Sequence, residues 1–364
     1  MTIKAVSRSI RYLLAPALTL ALALALALAL AGCGSGSDAS QPRGSSTPAS
    51  ATAGSGQPPQ PVDVSALGAR AAYTIFDVAD GNCVPVAGSG GEDVAPVAST
   101  FKLWVLDAAA REIRAGRLSW DTQVVVRDAL RSDPSGEVYG LAEGSTVPLE
   151  RLLTLMISIS DNTATDHVID VVGRQAVSEV IRELAPQGAA RTLPLLSTAD
   201  MSRLKFVAPD VGREYAALPP NQREAFLETL PQRVPLPWLS DPGAAAKIDI
   251  STPSLVDEVE WFASASDLCR TMADLAGLSA VPGLGPIGRI LSANPGLPPA
   301  EARQWTTTWF KGGSEPGVLA VAFRLAREDA DRVVVITASD PHEPLAESPA
   351  GERVFAAVIE AAAR

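Results

Sequence analysis

Ser99-Thr100-Phe101-Lys102, taken together with Ser160-Asp161-Asn162 and Lys311-Gly312-Gly313, is the feature around which this sequence is organised. A serine hydroxyl is a poor nucleophile at neutral pH and needs a base within hydrogen-bond reach. Ser99 and Lys102 are three residues apart, so on a helix they share a face. The segment that follows places apolar residues at Phe101, Leu103, Trp104, Val105, Leu106 and Ile113 and stops at Gly116. That is the pattern of a largely buried helix with a C-terminal glycine. Ser99 then stands at its N-terminus, where free backbone N–H groups and the helix dipole favour negative charge. The position suits a serine that must become an alkoxide and then hold an oxyanion. The pattern points to serine acyl-transfer chemistry.

Each piece alone is commonplace. Ser-x-x-Lys recurs at Ser202–Lys205 as an ordinary helix-capping serine with a downstream lysine. Asp and Asn satisfy local backbone groups in turns and caps, and Lys-Gly-Gly is an ordinary strand end. The order is what discriminates: only the first Ser-x-x-Lys precedes both partner motifs, and each partner occurs once. The ordered set resembles the S-x-x-K, S-D-N, K-T-G signature of class A β-lactamases and penicillin-binding proteins. The likeness extends through LGARAAYTIFDVADG (67–81), APVASTFK (95–102), MISISDNTATD (156–166) and FKGGSEPGV (310–318), and covers most of residues 62–364.

The resemblance implies an α/β (α+β) fold. Strands from both ends of the chain would form a five-stranded antiparallel sheet flanked by helices, with a helical subdomain and the active site in the cleft between. It also implies roles. Ser99 attacks a carbonyl with Lys102 as base, and Ser160 passes a proton toward the leaving nitrogen, helped by Lys311. Asn162 binds the substrate amide. The oxyanion lies between the N–H groups of Ser99 and Ser314, next to Gly313. No cofactor or metal is called for. The expected substrate is a β-lactam. A peptidase or esterase of the same superfamily, or a β-lactam-binding protein without efficient turnover, are the alternatives.

The sequence departs from the family in two places. The third motif reads KGG, so residue 312 lacks the threonine hydroxyl. The stretch expected to hold the deacylating glutamate, AARTLPLLSTADM (189–201), contains none. The acids nearest the expected loop end are Glu258 and Glu260 in DEVEWF, with Glu260 favoured because Trp261 and Phe262 could shield a carboxylate and raise its pKa. Residues 185–262 form a divergent insertion punctuated by Pro219, Pro220, Pro231, Pro235, Pro237 and Pro242. It is either a solvated excursion or a lid.

The first 33 residues stand apart from the domain. Lys4, Arg8 and Arg11 precede an Ala/Leu run from Leu13 to Ala31, the layout of a secretory signal. Leu30-Ala31-Gly32-Cys33 resembles a bacterial lipobox, which implies lipidation at Cys33 and a domain anchored at the extracytoplasmic face of the membrane. The alternative is an uncleaved membrane helix. Residues 34–61 are Gly, Ser, Pro, Ala, Gln and Thr with almost no large apolar side chain, a disordered tether with a reach of roughly 30 Å. Loss of the leader removes three positive side chains and no negative ones, taking the formal charge from −11 to −14. Such a surface repels phosphate backbones and excludes nucleic acid as a partner. A monomer is expected.

Cys83 and Cys269 either pair or remain buried thiols; the sequence leaves both open. His167 and His342 have no metal-ligand spacing, and without a Gly-x-Ser-x-Gly elbow lysine is the better base. Along the chain, the patterns predict a short helix over 62–70 and strands over 72–78 and 84–86. Helices follow over 149–160, 163–172, 174–183 and 264–276, then strands near 309–311, 318–325 and 333–337, and a closing helix over 351–363. Trp120 and Tyr139 fall in an irregular region as candidate cleft residues.

Overall fold

The computed structural model describes residues 61–345 and 348–364. The leader, Cys33 and the tether up to residue 60 lie outside the described residues. Strands β1 (Ala72–Ala79) and β2 (Asn82–Gly88) form a hairpin. Its two turn residues, Asp80 and Gly81, both have positive φ, the tight turn whose twist matches the flanking strands. β3 (Ala95–Pro96) leads to a 3₁₀ turn (Ala98–Phe101) and helix α1 (Lys102–Arg114). β4 (Gln123–Val125) and β5 (Thr146–Pro148) pair before α2 (Leu149–Ser158), α3 (Asn162–Val172) and α4 (Arg174–Leu184). The insertion carries α5 (Thr198–Ser202), a π-helical turn (Arg203–Val207), α6 (Pro209–Ala217) and α7 (Pro220–Arg233). β6 (Phe262–Ala263) pairs with β3, and α8 (Ala265–Ser279) and α9 (Pro286–Ser292) follow. β7 (Thr307–Glu315), β8 (Val318–Arg327), β9 (Ala330–Ser339) and α10 (Pro349–Ala363) close the chain.

The sheet order is β2-β1-β9-β8-β7, antiparallel throughout. The central strands are buried on both faces, so their sequences are apolar without a break rather than alternating. β9 shows the division: Val333 and Val335 join the core with α1 and α8, while Val334 and Ile336 face Phe355, Val358 and Ile359 of α10. Burial pattern and register agree, since neighbours on a strand point to opposite faces. The chain therefore has the five-stranded antiparallel sheet and flanking helices that its motifs imply.

One expectation is corrected, and the open question of the two cysteines is decided. The helix predicted over 62–70 is a single 3₁₀ turn, Ser65–Leu67, ended by Gly68 at φ 132°. None of its three residues is buried, so no packed face supports a longer helix. Cys83 on β2 and Cys269 on α8 form a disulfide, with Cα atoms 6.2 Å apart.

Candidate active site

Ser99 lies in the 3₁₀ turn that leads into α1, held from three directions. Val97 donates its N–H to Trp261 O at 2.9 Å, and Thr100 Oγ1 donates to Val97 O at 2.8 Å. Phe101 stacks on Trp261 with ring centres 3.8 Å apart. Across the turn runs β7: a Cβ on Gly313 would stand 2.4 Å from Ser99 N and 2.6 Å from Val97 O. Only glycine admits the strand this close to the Ser99 backbone. Ala98, just before Ser99, has φ 43°, a left-handed conformation costly for a residue with a Cβ.

Three residues after Ser99, Lys102 turns inward and is fully buried. Its Nζ donates to Ser160 O (2.7 Å), Ser160 Oγ (3.0 Å) and Asn162 Oδ1 (2.5 Å). Burial pushes its pKa down to about 8, against the pull of Asp133, Asp161 and Asp166. Lys311, on β7, donates to the same Ser160 Oγ at 3.1 Å. Burial first, and then the neighbouring Lys102, hold Lys311 well below the usual lysine range. Ser160 therefore stands between two amines, itself at φ 59°.

Asp161 keeps Ser160 in that strained position. One carboxylate oxygen caps α3 by accepting from Ala164 N (2.8 Å), and the other accepts from Glu137 N (2.7 Å) and Val138 N (2.9 Å). Gly136 makes the approach possible, since a Cβ there would meet the Asp161 carboxylate at 2.3 Å. Asn162 Nδ2 donates to Asp133 Oδ1 at 2.8 Å, so the Asn162 side chain bridges Lys102 and Asp133. The sequence motifs Ser99/Lys102, Ser160/Asn162 and Lys311 thus meet in one place. Around them opens a cavity of about 940 Å³, lined by Ser99, Ser160, Asn162, Lys311, Gly313 and Ser314 among others.

Residues 64–230 match the model of the beta-lactamase enzyme family. That match spans a little under half of the chain. Among solved structures it is similar to a β-lactamase from Sphaerobacter thermophilus DSM 20745, at 22% identity over 82% of this chain and 92% of that one, with a TM-score of 0.54. It is also similar to a structure of PBP-A, at 19% identity over 80% and 87% of the two chains, with a TM-score of 0.52. At these identities the likeness is one of fold. No curated protein matches the chain.

Where the chain departs from the family's pattern, the structure gives reasons for some of it. A Cβ on Gly312 would stand 2.8 Å from Phe310 Cζ, so a threonine here requires Phe310 to move. The stretch 189–201 packs on β6 through Thr192 Oγ1, which donates to Phe262 O (2.9 Å) and accepts from Phe262 N (2.8 Å). Its end, Thr198 and Met201, reaches the cavity wall. Glu258 is exposed at the surface. Glu260 is buried, with one oxygen accepting from Lys205 Nζ at 3.1 Å and the other from Trp261 N at 2.9 Å. Neither acid lines the cavity, and Trp261 stacks on Phe101 rather than roofing Glu260.

Several residues at the site belong to none of the three ordered motifs. Asp133, Ser202, Trp238 and Glu315 all line the cavity. Lys205, read from sequence only as the downstream lysine of an ordinary Ser-x-x-Lys, is buried between Glu260 and Glu315. Trp120 and Tyr139 stand elsewhere: Trp120 donates to Gly283 O at 2.8 Å, and Tyr139 to Trp238 O at 3.3 Å. His167 serves the backbone, its ring nitrogens bonded to Arg127 N and Thr163 O.

Proposed function

We propose that the protein is a serine hydrolase that opens β-lactam amides through an acyl-enzyme on Ser99. The observation that supports this best is the meeting of a buried Lys102, with a pKa near 8, and Lys311 on one hydroxyl, Ser160 Oγ. At neutral pH about a tenth of a lysine with that pKa is uncharged and able to accept a proton. In the proposed reaction Lys102 takes the proton of Ser99 Oγ as the oxygen attacks the carbonyl carbon. The C–N bond breaks, and Ser160 hands a proton to the departing nitrogen and is resupplied by the lysines. The N–H groups of Ser99 and Ser314 hold the oxyanion, with Gly313 fixing the spacing between their two segments. A donor of that kind contributes about 3–4 kcal/mol. Asn162 holds the amide of the substrate side chain.

Hydrolysis of the acyl-enzyme is the slower half of this reading. Deacylation needs a water deprotonated beside the ester. Glu258 and Glu260, the acids first considered for that task, stand off the cavity lining, which favours a long-lived acyl-enzyme over fast turnover. The localisation proposed with this function is the extracytoplasmic face of a bacterial membrane, through a lipid on Cys33.

Incubation with benzylpenicillin followed by intact-protein and peptide mass spectrometry tests the proposal. The expected result is one added penicilloyl group on the peptide containing Ser99, none in Ser99→Ala, and loss of the adduct over minutes to hours. Modification at Ser202, or an adduct that survives Ser99→Ala, removes Ser99 from the role.

A further inference from the structure

The cavity extends well past the reacting groups, and the insertion builds the extension. The α5 turn abuts the amide-binding residue directly: Thr198 Oγ1 donates to Asn162 O at 3.1 Å. Beyond that contact the wall is made of Met201, Phe206, Trp238, Ile248 and Ile250. Trp238 is fixed by its indole N–H, which donates to Ser132 O at 2.7 Å, and its ring packs with Ala199 and Leu236, against which Ile248 also rests.

Several polar groups of this wall are already bonded to protein partners. Thr198 Oγ1 also bonds Asp166 (2.8 Å), Asp133 Oδ1 is taken by Asn162, and the Trp238 N–H by Ser132. Apart from Ser202 Oγ and the second Asp133 oxygen, what this wall offers a ligand is mostly the carbon of Met201, Phe206, Trp238, Ile248 and Ile250. The charges that line the cavity agree: Asp133, Glu315 and Glu352 are acidic, and Lys311, at the reacting end, is the sole basic side chain of the lining among the described residues.

We infer that the walls supplied by residues 198–251 form an apolar acyl pocket beside Asn162, so that the preferred substrate of Ser99 carries a large, uncharged hydrocarbon group on its acyl side. The inference rests on the reading of Ser99 as nucleophile. Burial of hydrocarbon in a preformed pocket rewards each added methylene roughly three- to fourfold. A terminal carboxylate in the same pocket meets no cation and shares the cavity with three acids, so it loses its hydration without compensation.

The test uses penicillins that share one nucleus and differ in the side-chain acyl group: acetyl, hexanoyl, decanoyl, and a hexanoyl isostere ending in a carboxylate. The rate of mass gain on the Ser99 peptide is measured for the intact chain and for Ile248→Asp. A separate fluorophosphonate labelling reports whether Ser99 is nucleophilic at all. The expected result is a rise of at least a hundredfold from acetyl to decanoyl and a carboxylated isostere at least tenfold slower than hexanoyl. In Ile248→Asp the decanoyl-to-acetyl ratio should fall at least tenfold. Ile250→Asp supplies the same ratio if Ile248→Asp does not fold. Labelling of Ser99 with a flat acyl series, or a rise that both variants retain, overturns the pocket and leaves the nucleophile standing. Absence of both labelling and acylation overturns the nucleophile and the pocket together.

Discussion

Burial decides what Lys102 can do. An ammonium surrounded by water is no base at neutral pH, but at this position desolvation brings the pKa down to about 8 while Asp133, Asp161 and Asp166 resist a further fall. The sign of the pH dependence follows. Below pH 8 the protonated amine cannot accept the Ser99 proton, so the rate of acylation should climb about tenfold per pH unit up to roughly pH 8 and then level off. Timed quenching of the benzylpenicillin reaction between pH 6 and 9 reads this directly. Lys102→Arg, which keeps the charge and never loses its proton in this range, should acylate at least a hundredfold more slowly at every pH. A flat profile in the wild type would assign the base elsewhere. At this scale Ser99, Lys102, Ser160, Asn162 and Lys311 were legible because their chemistry forces them into short ordered motifs. Asp133, Trp238 and Glu315 were not, because they reach the cavity by tertiary packing and belong to no local pattern.

Elements show the same contrast between local and distant causes. The α1 and α2 helices were readable from their apolar spacing, and the hairpin from its Asp-Gly turn, since both signals lie within a dozen residues. The π-helical turn Arg203–Val207 was not, because what holds it is remote. It delivers Lys205 to Glu260, at 3.1 Å, and to Glu315 at the end of β7. One ammonium cannot neutralise two carboxylates: burial and then Glu260 push Glu315 well above the ordinary carboxylate range. Lys205, despite the opposing effect of its burial, is held above its usual value by Glu315 and Glu260. This cluster ties the insertion to the strand that carries Lys311 and Ser314. Lys205→Met should leave two buried carboxylates facing each other, at a cost of about 3–5 kcal/mol at neutral pH. A carboxylate whose pKa is raised by folding contributes stability at low pH that is lost as pH rises past its unfolded value. The variant's melting temperature should therefore fall as pH increases from about 4.5 toward 7, and adding Glu315→Gln should recover much of the loss. Thermal melts at pH 4.5, 5.5 and 7 check both statements; a variant equally stable at all three would mean that the pair is not buried in solution.

For the molecule as a whole, the candidate active site and the disulfide lie at opposite edges of one sheet. Lys311, Gly313 and Ser314 are on β7, whereas Cys83 is on β2, with three strands between them. At about 4.8 Å per strand that is close to 20 Å. The bridge joins residues 186 positions apart, and a sequence cannot show that two such distant cysteines meet until the sheet and α8 are placed. Its effect should be on the unfolded chain. Closing so long a loop removes conformational freedom worth up to about 5 kcal/mol by the chain-entropy relation. For a domain of this size that corresponds to a fall of up to about 8 °C in melting temperature once the bridge is lost. Replacing both residues, Cys83→Ser with Cys269→Ser, should lower the melting temperature by that order. The rate of acylation of Ser99 at 25 °C should stay within twofold of the wild type, because neither cysteine touches the cleft and the β7 edge keeps its own contacts with the 3₁₀ turn. Calorimetry and timed acylation of the same preparation separate the two effects. If acylation falls in step with stability, the sheet transmits the change from one edge to the other and the active site is not an independent rigid unit. If the melting temperature is unchanged, the unfolded chain already keeps the two cysteines close without the bond.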